Sequence, residues 1–180
     1  MATWKHTDLT IDGRLVKAQA PIIVSASRST DIPAFYADWF FKRLEIGYSA
    51  WTNPFNGVKS YVSYDKTRFI IFWSKNPRPL LTHLDELKER GIGCYIQYSL
   101  NDYEEERLER GVPLLAVRID TFKRLVDALG FGSVVWRFDP LMLTDDIDID
   151  KLLKKIENIG DQLIGYTEKL VFSFADIALY

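Results

Sequence analysis

Short apolar runs alternate with amphipathic stretches along this 180-residue chain. The runs, rich in β-branched and aromatic residues, cover 22–27, 48–52, 69–74, 94–99, 134–138 and 170–174 and predict strands. Helical spacing follows most of them. Over 33–46, Phe35, Trp39 and Leu44 fall with Phe40 and Phe41 on or near one stripe. Over 79–90, leucine recurs at 80, 81, 84 and 87 until Gly91 ends the pattern. The stretches 112–129, closing at Gly130, and 150–164 complete the helices. Repeated strand–helix–strand units predict parallel strands with helices packed outside. Two turn signals interrupt them. Asp12-Gly13 and Asn56-Gly57 supply the positive backbone angles of tight turns. The first predicts a leader hairpin within residues 1–20, the second an insertion after the second strand.

Within each strand, alternate side chains share a face. One set is apolar: Val24 and Ala26, Ile70 and Phe72, Ile96 and Tyr98, Val134 and Trp136, Phe172 and Phe174. The other set turns polar toward the carboxyl ends: Ser25 and Ser27, Trp73 and Lys75, Gln97 and Ser99, Arg137 and Asp139, Ser173. A sheet covered by helices on both faces is apolar on both. A barrel wall instead opens to a polar mouth at its carboxyl end. The fold class expected is therefore α/β, a partial TIM-type (β/α)6 barrel of parallel strands behind the leader hairpin, with residues 21–180 forming one domain.

Composition narrows the partners. Lysine and arginine total 23 against 25 acids, a formal net charge of −2, which lacks the broad basic footprint of a nucleic-acid binder. No apolar run reaches membrane-spanning length and no signal peptide is visible, so a cytoplasmic, soluble protein is expected. Cys94 is the one cysteine, and His6 and His83 the two histidines, which excludes a disulfide within the chain and a structural zinc. Cys94 reads as a buried thiol on the helix-facing side. Neither histidine has catalytic or metal-binding spacing. The acidic stretches 101–110 and 145–150 read as solvated loops or helix ends.

Candidate chemistry gathers at the carboxyl ends. Ser25, Ser27, Arg28, Ser29 and Asp31 join the first strand to the first helix, where hydroxyls, a guanidinium and free helix amides suit an anion. Capping of the helix by Ser29, Thr30 or Asp31 is the competing reading. Arg137 needs a carboxylate, a chain of hydrogen bonds or a ligand on an interior face. Either it pairs structurally with Asp139 or Asp31, or it forks onto a ligand carboxylate or phosphate. Lys75 serves as a point charge, a base or a Schiff-base former, or its ammonium reaches out to solvent. Gln97 and Ser99 suit hydrogen-bonding walls, Asn53 a turn with access to the mouth, and Ser173 the last strand. Lys75 and Asp139 are the catalytic candidates, and the others bind ligand.

The stretch 22–36, Asn53-Pro54-Phe55-Asn56, Phe72-Trp73-Ser74-Lys75-Asn76-Pro77, Trp136-Arg137-Phe138-Asp139-Pro140 and Gly165-Tyr166-Thr167 resemble, in order, the domain of unknown function 1848 family. The resemblance implies a part-barrel distantly related to radical S-adenosylmethionine enzymes. It also implies a cysteine cluster near the carboxyl terminus of longer members, holding an iron–sulfur centre. These 180 residues contain no such cluster, so the expectation is a fragment, a naturally shortened version, or a chain whose missing part is supplied elsewhere. No cofactor is expected in this chain; an iron–sulfur cluster and S-adenosylmethionine belong to a full-length relative. Two functions lead, an enzyme-type part-barrel binding a polar, anionic small molecule, or a catalytically silent binding or scaffold module; a metal-free hydrolase or aldolase using Lys75 or Asp139 rests only on the versatility of barrels. The apolar stretch 170–180 further implies exposed surface and self-association through it.

Overall fold

In the computed structural model, which describes residues 5–27 and 29–174, the chain opens with the expected hairpin. Strands β1 (His6–Ile11) and β2 (Arg14–Gln19) pair antiparallel, with Ile11 opposite Arg14. Asp12 and Gly13 take φ of 49° and 74°, the left-handed pair that a two-residue turn of this twist requires. Arg28 and residues 175–180 lie outside the described residues.

Five parallel strands form the main sheet: β3 (Ile23–Ser25), β6 (Phe69–Ser74), β7 (Gly93–Ser99), β8 (Val134–Leu141) and β9 (Leu170–Phe174), side by side in chain order. The helices between them are α1 (Ile32–Phe35), α2 (Ala37–Ile46), α3 (Leu84–Glu89), α4 (Leu115–Leu129) and α5 (Ile149–Leu163). The helix expected over 79–90 divides into a 3₁₀ turn, Arg78–Thr82, and α3, with His83 between them. The His83 ring stacks on Phe41 at 4.2 Å and its Nε2 meets Asp38 at 2.8 Å.

One expected strand belongs elsewhere. Residues 48–52 form β4 (Tyr48–Thr52), but β4 pairs antiparallel with β5 (Lys59–Ser63) in a second sheet of order β1-β2-β5-β4. The sixfold unit count is therefore corrected to five strands in the parallel sheet. The reason is local. Asn53 accepts from Gly57 N–H and donates its own N–H to Val58, folding the chain back so that β5 takes the neighbouring edge at small closure cost. Strand β2 lies parallel to β5, with Gln19 opposite Val62.

Of the apolar set predicted for one face of the parallel sheet, the members on the three central strands are buried, while Val24 and Ala26 are half-buried and Phe172 and Phe174 exposed. Ile70, Phe72, Ile96, Tyr98, Val134, Trp136 and Phe138 pack with Phe40, Leu80, Leu87, Phe122, Leu125, Leu152 and Ile159 in one core. Each such side chain contributes roughly 1.5–3 kcal/mol on burial. The alternate face is less covered: Ile23, Ser25 and Trp73 are exposed on it, Trp73 at 44%. At the far edge Phe172 and Phe174 are 53% and 76% exposed, although they continue the helix-facing row. The described residues form a mixed α/β architecture with an open parallel sheet. Among them no helix is long and apolar enough to cross a membrane.

Cys94 sits on the helix-facing row of β7, where burial pushes its thiol up to about 12. At pH 8 the native protein is expected to leave it unmodified by a chromogenic disulfide reagent over the minutes in which the urea-unfolded chain reacts completely. Fast stoichiometric labelling of the native form would place the thiol at the surface instead.

Candidate functional site

The polar row converges because the parallel register brings successive strand ends level. Trp73 lies opposite Gln97, Ser99 opposite Arg137, and Arg137 opposite Val171. Arg137 Nη1 donates to Gln97 Oε1 at 2.7 Å, and Nη2 and Nε donate to Asp139 Oδ2 at 2.7 and 3.3 Å. Its guanidinium carbon lies 4.3 Å from the centre of the Trp73 ring, a cation–π contact. Trp73 Nε1 donates to Ser99 Oγ at 3.2 Å, and Ser173 Oγ donates to the other Asp139 oxygen. Gln97, Ser99, Arg137, Asp139 and Ser173 thus meet at one place. Of the two readings for Arg137, the pair with Asp139 is present; Asp31 does not reach it.

Asp139 is held from behind. Strand β7 ends at Ser99, and the side chain of Asn101, fully buried, takes up the backbone of Asp139 where the ladder stops. Asn101 Oδ1 accepts from Asp139 N–H at 2.8 Å, and Nδ2 donates to the Asp139 carbonyl at 3.1 Å. Nδ2 also donates to Glu109 Oε1 at 3.0 Å. Two residues on, Tyr103 Oη donates to the Pro140 carbonyl at 2.8 Å and accepts from Met142 N–H at 3.1 Å; burial pushes its phenol up to about 12.

Lys75, at the end of β6, neither stands free nor simply reaches into solvent. Its ammonium pairs with Glu109, whose side chain is only 6% exposed. Glu109 in turn lies 3.6 Å from Arg118, which is 1% exposed, and Arg118 also reaches Glu104 at 3.4 Å. Glu104 accepts the N–H of Leu115 and so caps α4, whose N-cap residue Leu114 has no capping side chain. The solvated-loop reading of 101–110 is therefore corrected. Asn101 is buried, Glu106 and Glu109 are nearly so, and ion pairs compensate the carboxylates. Asn101, Glu109 and Arg118 escaped the sequence reading. An arginine inside Leu115-Ala116-Val117-Arg118-Ile119 was the available signal, since a charge among apolar helix positions demands a partner.

The segment after β3 divides. Asp31 is the N-cap of α1, accepting from Ala34 N–H at 3.0 Å, and its second oxygen accepts from Lys75 N–H at 2.9 Å. One carboxylate therefore caps the helix and ties this turn to the end of β6. Ser25 and Ser29 are exposed. Ser27 Oγ and Asn76 Oδ1 are buried without a hydrogen-bond partner among the described residues. Asn53 accepts from Phe55 N–H in the β4–β5 loop of the second sheet, apart from the cluster around Arg137.

Burial alone would raise the Asp139 carboxyl, but the hydrogen bonds from Ser173 and Arg137 and the Arg137 charge outweigh it and hold it below the usual aspartate value. A carboxylate depressed in the folded state contributes stability above its unfolded value, and that contribution is lost as pH falls through the folded value. Carbon-13 NMR is expected to find Asp139 titrating below the ordinary range in the native protein. Arg137→Gln or Ser173→Ala should move it upward and shift the acid-unfolding midpoint to higher pH. An unmoved titration in both variants would dismiss this account of its charge.

Comparison with curated proteins and with solved structures returns no match. A family model described as domain of unknown function, DUF1848, matches residues 23–180. That span contains every strand of the parallel sheet and all the residues clustered about Arg137 and Lys75. The chain belongs to the DUF1848 family.

Proposed function

We propose that the carboxyl-end cluster on the less covered sheet face binds a polar, anionic small molecule, in the manner of an enzyme-type part-barrel of TIM type. The observation that carries the proposal is the convergence of Trp73, Gln97, Ser99, Arg137, Asp139 and Ser173 from four adjacent parallel strands. Strand order supports the barrel-wall reading, because β3, β6, β7, β8 and β9 follow one another without the reversal of a doubly wound sheet. Ser27 Oγ and Asn76 Oδ1, without partners among the described residues, support a polar occupant near the same strand ends.

In this reading Arg137 is the anion anchor. Its three protein-directed N–H groups leave two donors for a ligand oxygen, and the Trp73 ring holds the guanidinium flat. Asp139, kept ionised by Ser173 and Arg137, accepts a proton or hydrogen bond from the ligand. Lys75, braced by Glu109, adds positive charge at the rim. Ser25 and Ser29, both exposed, flank the turn beside it.

Iron–sulfur chemistry with S-adenosylmethionine enters only through the likeness to longer relatives. A four-iron cluster needs several thiolates, whereas the one thiol here, Cys94, is buried on the helix-facing row. The residues do not fit that group, and no step is drawn through it. The ion pairs of Arg137 with Asp139 and Lys75 with Glu109 favour the second reading, a catalytically silent binding module with the same polar cluster.

Oxalate, malate and glycerol phosphate, titrated separately and followed by amide NMR, are expected to shift Gln97, Arg137, Asp139 and the Trp73 indole. Arg137→Gln should weaken the best of them about tenfold, the weight of one charge-assisted hydrogen bond. Absence of shifts at these residues with all three would defeat the proposal. We also propose that the exposed Phe172 and Phe174 on the edge strand β9 join two copies of the chain. Sedimentation should then show a concentration-dependent dimer that Phe172→Ser with Phe174→Ser abolishes, and a monomer at all concentrations would refute it.

A further inference from the structure

Away from the parallel-strand ends, a groove of about 440 Å³ opens between α2 and the second sheet, lined by Ile11, Asp12, Trp39, Arg43, Tyr48, Ala50, Lys59 and Tyr61. Its cations differ from those at the strand ends. Arg137 and Lys75 are matched with carboxylates, whereas neither Arg43 nor Lys59 has a salt-bridge or side-chain hydrogen-bond partner among the described residues. Each lies instead over an aromatic ring: the Arg43 guanidinium carbon 4.5 Å from the centre of Tyr48, and the Lys59 ammonium 5.8 Å from that of Tyr61. A ring beneath a cation orients it without neutralising it, so the N–H donors and the full charge remain available.

The sheet register produces this arrangement. Ala50 pairs with Tyr61 and Thr52 with Lys59, so Tyr48, Ala50, Lys59 and Tyr61 share one face of the β4–β5 hairpin. Trp39 and Arg43 lie four residues apart on α2, hence one above the other on one helix face. Trp39 is 48% exposed, a large flat apolar surface at the groove's edge. Asp12, in the β1–β2 turn, is the one acid among the lining residues, facing two cations.

We infer that this groove is a second ligand site, independent of the one proposed above, and that it takes a small molecule joining a phosphate to a planar aromatic ring, as a nucleotide does. Arg43 and Lys59 receive the phosphate, and the Trp39 indole stacks on the ring. The volume suits one such molecule, since small-ligand sites span roughly 300–1,000 Å³. A net charge of −2 and a two-cation patch do not suit a polymer of phosphates.

Calorimetry with adenosine monophosphate, adenosine and inorganic phosphate tests the assignment on the whole chain. The monophosphate is expected to bind at least tenfold more tightly than either adenosine or phosphate. Arg43→Gln and Lys59→Gln should each weaken it about tenfold, and Trp39→Leu should reduce it to the level of phosphate alone, with melting temperatures checked to confirm folding. Amide shifts induced by the monophosphate should fall on Trp39, Arg43, Lys59 and Tyr61 and spare Gln97 and Asp139, which separates this site from the strand-end cluster. Undetectable binding, equal binding of phosphate and monophosphate, or insensitivity to both cation substitutions would overturn the inference. So would a single-stranded oligonucleotide binding far more tightly than the mononucleotide.

Discussion

The side chain of Asn101 continues the sheet one step beyond its last backbone pair. By accepting the N–H and donating to the carbonyl of Asp139, it replaces the strand residue that β7 no longer supplies. A buried amide left without partners costs about 1–3 kcal/mol, so this pairing is obligatory for Asn101 to be buried there. Much of the strand-end geometry depends on it. It sets where β8 leaves the sheet, hence where Arg137 and Asp139 project. Through Glu109 it sets where the charge of Lys75 rests.

The consequence is a polar layer that is linked rather than merely adjacent. Arg118, Glu109, Asn101, Asp139, Arg137 and Gln97 form a chain of contacts from the amino end of α4 to the sheet face. Within it Arg118 is compensated by Glu109 and Arg137 by Asp139, and removing one would strand its partner in a poorly solvated place. Such a network specifies one arrangement of the 101–114 loop. A parallel farther along binds the same loop to α5: Lys155, itself buried, reaches Glu106 at 3.3 Å, and Lys151 reaches it at 2.8 Å. There burial alone would raise the Glu106 carboxyl, but the ion pairs with the two lysines hold it below its ordinary value.

The two charged regions obey different rules. At the strand ends, Arg137 and Lys75 are matched with carboxylates. In the α2 groove, Arg43 and Lys59 lie over aromatic faces instead. This is why Arg137 and Arg43, chemically the same, differ in what they retain for a ligand.

Alternation alone made the parallel sheet legible. Ile70, Phe72, Ile96 and Phe138 had to be buried on one face, which put Trp73, Gln97, Arg137, Asp139 and Ser173 on the other. The Asp12-Gly13 turn was equally plain, because few dipeptides accept two positive φ values. Charge partners were not legible in the same way. Nothing in the spacing of Asn101, Glu109 and Arg118 states that they meet, since the loop conformation that unites them depends on long-range hydrogen bonds. Nor could periodicity tell β4 from a barrel strand: a half-buried strand reads alike whichever edge it joins. Local pattern determined which faces are buried and which residues line the strand ends. Only tertiary structure decided which sheet β4 entered and which carboxylate each cation met, because pairing between distant segments is settled by register and burial.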